Sequence, residues 1–141
     1  MSINTKSVLL SGLVAGITIL ISGMAMVPVV GGEMNRVLAD RGLPPLSHPA
    51  MAYFAMFSLI IGIFLVWLYA VAKTHFGPGK RTALIVSFTV WFLAYFLSNA
   101  SKVAYGFLPI QLTVIGTAWG LVEVALGGLI GSYLYREKNN E

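Results

Sequence analysis

One carboxyl group stands alone in the apolar part of this sequence. Glu123 lies near the middle of a long hydrophobic stretch, and no other Asp, Glu, Lys, Arg or His lies deep in such a stretch. A charged side chain at the centre of a bilayer costs about 3 kcal/mol on insertion scales. The neutral form of a carboxyl is favoured away from water, and that form donates a hydrogen bond. Glu123 could therefore bind a proton, bind a cation or anchor a polar head group.

Five side chains on the other hydrophobic stretches are candidates to face Glu123 at a similar depth. They offer hydroxyl, indole and phenol groups: Thr18, Ser22, Ser58, Trp91 and Tyr95. Two interpretations remain open. Glu123 and these groups form an intramembrane polar site, or a protonated Glu123 locks two helices together by a hydrogen bond. The lack of a basic residue at this depth favours the helix lock.

Four glycines share a helical face with Glu123. They lie three, four, seven and eight residues from it, in the order Gly120, Gly127, Gly116 and Gly131. These spacings fall on one side of a helix and contain two small-xxx-small pairs, which let helices approach closely. We therefore predict that Glu123 faces a neighbouring helix and not lipid. Gly12 and Gly16 give the first hydrophobic stretch a similar packing face.

Aromatic residues recur at helical spacing on the second and third hydrophobic stretches. The two stripes are Tyr53, Phe57, Ile60, Phe64 and Trp67, and Phe88, Phe92, Tyr95 and Asn99 with Trp91 and Phe96 beside them. Such stripes pack against helices or lipid more often than they line a pocket. We predict no cofactor, although a bound lipid, quinone or pigment remains an alternative.

Metal-binding and catalytic groups are sparse. His48 and His75 stand at opposite ends of the second stretch, too far apart to share a metal, so we predict no metal site. Catalysis needs convergent groups with tuned pKa values. Glu123 has no His or Lys at its depth, so we expect no enzyme.

The composition indicates where these residues must lie. The chain has 141 residues, of which 57% are hydrophobic and 10% are charged, and it has no cysteine. Soluble domains carry about 25% charged residues, so a soluble enzyme is excluded. Four stretches reach the roughly 20 residues that a spanning helix needs: 8–30, 49–72, 82–100 and 112–135. Because backbone groups must be paired in lipid, we predict an all-α, four-helix membrane bundle in a single domain over 1–141.

The longest connection and the distribution of charge complete the predicted topology. Residues 31–48 form an outer loop, in which residues 34–41 could form a short interfacial helix. Basic residues are more frequent at cytoplasmic ends. One side of the membrane would hold Lys6, Lys73, Lys80, Arg81, Arg136 and Lys138, and the other Arg36, Arg41 and Lys102. Both termini are therefore predicted to be cytoplasmic. The basic residues are scattered at span ends, so we expect no nucleic-acid partner.

Seven short segments resemble a group of small bacterial four-span membrane proteins with no established activity. The segments are 66–70, 76–79, 82–84, 90–91, 106–109, 119–123 and 131–137. The resemblance implies a bacterial inner membrane and places Glu123 within a shared motif. It implies no activity.

The sequence thus favours a structural or accessory subunit that packs in a larger membrane complex or with copies of itself. The alternative is a small transporter, or a binder of an apolar ligand or lipid, built around Glu123.

Overall fold

A computed structural model describes residues 3–137. Its elements are α1 (Thr5–Ala39), α2 (His48–Phe76), α3 (Lys80–Trp91), a π-helical segment (Phe92–Phe96), α4 (Leu97–Ala104) and α5 (Ile110–Leu134). The middle three join into one continuous third span, Lys80–Ala104. All four spans are long and apolar enough to cross a membrane, and residues 3–137 contain no strand. The predicted all-α four-helix bundle is confirmed.

The first and last described residues lie near one end of the bundle, where Asn4 contacts Tyr135. α1 packs against α2 and α5, and α5 packs against the third span. At one end the Asn4 amide donates to the Tyr135 hydroxyl (3.4 Å), and the Gly79 amide donates to the Tyr69 hydroxyl (3.1 Å). We call this the terminal end, and the opposite end, with the first and third connections, the loop end. Lys138, one of the basic residues of the predicted topology, lies outside the described residues.

The first span is longer than the sequence predicts. α1 runs without a break through Gly31 and Gly32 to Ala39, so the predicted separate helix in the 31–48 loop is wrong. Glycine lowers helix stability by about 1 kcal/mol but keeps its backbone donor, so it does not force an end. The apolar residues that follow continue the same helix, and Val37 is buried. The other three predicted spans differ from the helices by no more than four residues at any end.

α1 ends in a Schellman motif. Gly42 adopts a left-handed φ of 67°. Its amide donates to Ala39 (2.9 Å), and the Leu43 amide donates to Leu38 (2.9 Å). These two bonds satisfy carbonyls that a helix end leaves unpaired, and glycine takes the left-handed position without steric cost. The stop signal is therefore Gly42 and not the glycine pair before it.

α1 and α2 meet backbone to backbone. A methyl group on Gly62 would overlap the backbone of Gly16, and one on Gly12 would come 2.5 Å from the Cα atom of Ile63. Only glycine permits such an approach at these three positions. The sequence predicts the α1 side of this interface, Gly12 and Gly16, but not Gly62 across from it.

α5 is packed as closely through its own glycines. A Cβ on Gly127 would lie 2.9 Å from a side-chain carbon of Ile19, and one on Gly131 would lie 2.5 Å from Val66. The Ser87 hydroxyl fills the space above Gly128. The largest fully buried side chains are Ile19, Leu65, Val66, Val124, Thr82 and Ser87. The dense core therefore begins at the level of Glu123 and continues to the terminal end.

Candidate functional site

Glu123 is enclosed by the other helices. It lies at mid-length of α5, and only 4% of its surface is exposed. On the α1 side its carboxyl is close to Gly23, where a Cβ would lie 3.6 Å from Oε2. The same Cβ would lie 2.9 Å from the Phe54 ring of α2. The absence of a side chain at Gly23 thus makes room for the Phe54 ring beside the carboxyl.

Tyr95 supplies the polar group at this site. Its side chain approaches the Glu123 carboxyl from the third span. The Tyr95 ring lies against Gly120, where any side chain would overlap it. Gly120 is one turn before Glu123 on α5, so the glycine lets the ring pass and bring its hydroxyl to the carboxyl. Of the five predicted partners, Tyr95 is the one that the structure brings to Glu123.

Tyr95 belongs to an irregular part of its helix. The Leu97 amide donates to the Phe92 carbonyl, five residues back, which widens this turn into a π-helix. π-helical turns are rare, and they often occur at functional sites. The extra residue changes the direction of every side chain that follows it relative to a regular α-helix. The segment contains neither proline nor glycine, so the sequence carries no signal for it.

Two of the three predicted serine and threonine partners, Thr18 and Ser58, bond within their own helices. The Thr18 hydroxyl donates to Val14 (2.9 Å), and the Ser58 hydroxyl donates to Phe54 (2.9 Å). In both cases the acceptor is the carbonyl one turn back, a common arrangement for hydroxyls in a helix interior. The prediction that these two hydroxyls bond to Glu123 is wrong.

The remaining two predicted partners take part in indole hydrogen bonds. Trp91 donates from Nε1 to the Thr117 carbonyl (2.8 Å). Ser22 accepts at its backbone carbonyl from Nε1 of Trp119 (3.2 Å). These bonds tie α5 to the third span and to α1 around the Glu123 site. Trp91 and Ser22 therefore brace the site, and neither supplies a side-chain group to the carboxyl.

A row of hydrogen-bonded polar side chains lies between the level of the site and the loop end. Asn99 donates from Nδ2 to the Thr117 hydroxyl (2.8 Å), and Lys102 donates from Nζ to Asn99 Oδ1 (3.2 Å). Asn99 follows Tyr95 by one helical turn. We call Lys102, Asn99 and Thr117 the polar file. The polar composition of 98–101 was visible in the sequence, but the partner Thr117 was not.

One predicted packing position is wrong. Gly116 faces open space, because apart from its own helix no described atom lies within 4 Å of where its Cβ would be. It is two turns from Glu123 toward the loop end, where the helices pack less densely. Gly120, Gly127 and Gly131 do contact other helices.

The aromatic stripes lie on the outside of the bundle. On α2, Tyr53, Phe57 and Phe64 are each more than half exposed (62%, 56% and 51%). On the third span, Phe92 stacks on Phe88 (6.2 Å) and on Phe96 (5.2 Å), which forms an exposed column. The stripes thus face whatever surrounds the bundle, apart from Tyr95, which points inward.

Neither a search for metal-binding side chains nor comparisons with known proteins assign a function to this chain. Within residues 3–137 no three His, Cys, Asp or Glu side chains come together as a metal site would need. No family model matches the chain, and neither curated proteins nor solved structures gave a match. The resemblance to small bacterial four-span proteins therefore stays a prediction.

Proposed function

We propose that this integral membrane protein is a small transporter that binds and releases a proton at Glu123. The observation that carries the proposal is a buried carboxyl at mid-length of α5, beside a tyrosine that belongs to a π-helical turn and packs one turn away from it on Gly120. As part of the same proposal, the protein resides in a bacterial inner membrane with both termini in the cytoplasm. No covalent chemistry and no cofactor are assigned.

The pairing suits both forms of the carboxyl. A carboxylate accepts a hydrogen bond from the Tyr95 hydroxyl, and a protonated Glu123 donates to the oxygen of the same hydroxyl. A basic partner would hold the carboxylate in one state, because an opposite charge favours the ionised form. Tyr95 gives a partner to either state, so the proton can leave and return.

The irregular helix also supports a functional site over a simple helix lock. A purely structural hydrogen bond between Glu123 and a neighbouring helix would need only regular helices. Gly120 and Gly127 already allow those helices to approach α5 closely. The π-helical turn gives up regular backbone hydrogen bonding within the membrane-spanning region. Such a turn persists when the surrounding structure or the function requires it.

Proton flux in liposomes tests the proposal. We expect purified protein, reconstituted with a pH-sensitive dye inside, to acidify the vesicle interior when a potassium gradient and valinomycin set the interior negative. Glu123→Gln should lose this flux, since an amide side chain does not titrate. The matched control is Ser132→Ala, a polar substitution elsewhere on α5, which should keep it. Equal flux from the wild-type protein and Glu123→Gln would contradict the proposal.

A second candidate function is that of an accessory subunit or homo-oligomer. The observation that favours it is the exposed aromatic column of Phe88, Phe92 and Phe96, a rigid apolar surface on one face of the bundle. Gentle purification with native mass analysis tests this function. A stoichiometric second protein or a multiple of the chain mass supports it, and a monomer that carries only lipid contradicts it.

A further inference from the structure

The two halves of the bundle differ in how tightly they close. Between Glu123 and the terminal end, glycines on α1, α2 and α5 bring backbones into contact, as Gly62 does with Gly16. Ser87 and Val66 are buried to 1% and 0% exposure in this half. Side chains packed in this way leave no room for water, so this half forms a close-packed plug below the carboxyl.

Polar contacts at the surface also hold the helices together at the terminal end, in addition to the close packing inside. The Lys73 ammonium lies 2.8 Å from a Glu137 carboxylate oxygen and 4.7 Å from the centre of the Tyr135 ring. The Arg136 amide donates to the Ser7 hydroxyl (2.7 Å). These contacts join α1, α2 and the segment after α5. Water on this side thus meets a closed surface before it meets the plug.

The loop-end half is different. Within the described residues, α4 has no buried residue, and the buried residues of α2 begin only at Ser58. The polar file runs through this half from Lys102, which is exposed, to Thr117, which is half-buried. Tyr95, one helical turn from Asn99 on the third span, packs against Gly120, which lies one turn before Glu123 on α5. Leu112 and Thr113 of α5 are also buried in this half, so the polar file is its link between the level of Glu123 and the surface.

We infer that, in this conformation, Glu123 exchanges its proton with water from the loop end alone, along a path lined by Tyr95 and the polar file of Lys102, Asn99 and Thr117. Transport across the membrane then requires a second conformation in which the plug opens. This inference rests on the proposed function and adds the route on the loop-end side. Lys102 sets a positive charge at the mouth, and Arg41 binds the Gly106 carbonyl nearby (2.6 Å).

The groups that face Glu123 are few. α1 presents Gly23, α2 presents Phe54 and the third span presents Tyr95. Tyr95 is thus the one titratable group that faces the carboxyl among the described residues, and Lys102 is the charged group at the mouth of the file. No charged group on the plug side enters the exchange.

Single cysteines test the route, and the chain offers no native cysteine to interfere. In reconstituted vesicles, Thr117→Cys and Ser87→Cys probe the file and the plug, while Tyr105→Cys and Lys80→Cys mark the loop and terminal sides. We expect a negatively charged, membrane-impermeant methanethiosulfonate to label Thr117→Cys from the Tyr105 side only. Labelling of Ser87→Cys should be at least about tenfold slower from either side, because a buried thiol reacts only during local opening.

Two outcomes would overturn the inference. One is labelling of Ser87→Cys from the Lys80 side at the rate of Thr117→Cys, and the other is failure of Thr117→Cys to react from the loop side. If Thr117→Cys does not fold, Asn99→Cys reports on the same file with the same expectations.

Proton flux separates this inference from the proposed function. Thr117→Val removes the file hydroxyl, and Thr89→Val is the matched control because its hydroxyl bonds its own helix at Ile85 (2.9 Å). We expect Thr117→Val to slow the flux about tenfold, the effect of one lost hydrogen bond on a rate. Flux that depends on Glu123 but is equal in both valine variants contradicts the route and leaves the proposed function standing. Loss of the Glu123 dependence contradicts both.

Discussion

Gly62→Ala is expected to lower the free energy of unfolding by about 3 kcal/mol, the upper end of the usual cost of overpacking. The added methyl group would overlap the backbone of Gly16, and the carbonyl of Gly12 lies beside it. Backbone atoms cannot rotate away as a side chain can, so α1 and α2 must separate. Their separation would also disturb α5, which packs on the same side of α1 through Gly127 and Ala15.

Thermal or denaturant unfolding in detergent, followed by tryptophan fluorescence, measures this effect. The matched control is Gly116→Ala, the same substitution at a helical glycine that faces open space. Alanine favours a helix over glycine by roughly 0.5–1 kcal/mol, so Gly116→Ala should leave stability unchanged or raise it. If both variants unfold alike, the close α1–α2 contact does not exist as described.

The second large effect concerns the carboxyl itself. Glu123→Leu is expected to lower the free energy of unfolding by about 1–3 kcal/mol, since the Tyr95 hydroxyl is left buried without its partner. Glu123→Gln should stay within about 0.5 kcal/mol of the wild-type protein, because its amide can still exchange a hydrogen bond with a hydroxyl. The two variants have similar volumes, so the difference between them reports on the polar contact.

A double mutant separates this contact from packing. Tyr95→Phe removes the hydroxyl and keeps the ring against Gly120. Adding Tyr95→Phe to Glu123→Leu should restore most of the lost stability, because two apolar groups then meet. Equal melting temperatures for Glu123→Leu and Glu123→Gln would mean that the carboxyl and the hydroxyl do not interact.

The spans were predictable from the sequence because a bilayer imposes strong constraints on length and polarity. The end of α1 was not predictable in the same way, because the glycine pair Gly31 and Gly32 indicated that the helix ends there. The deciding signal was Gly42, whose left-handed backbone lets the last carbonyls be satisfied. A glycine pair weakens a helix, but a helix ends where its carbonyls find other donors.

The site was predictable in part. A carboxyl at mid-membrane singled out Glu123, but hydropathy could not decide among five possible partners on three helices. The choice of Tyr95 depends on the π-helical turn, which has no signature in residues 92–96. Gly62 did carry a signal, because Ser58 and Gly62 form a small-xxx-small pair that mirrors Gly12 and Gly16.

Infrared difference spectroscopy of the reconstituted protein, recorded between low and high pH, tests the central claim most directly. A protonated carboxyl shielded from water has a carbonyl stretching band apart from those of exposed acids. We predict one such band that appears at low pH, disappears at high pH and is absent in Glu123→Gln. A band that persists unchanged across the titration would describe a permanently protonated helix lock and contradict the proton-binding role of Glu123.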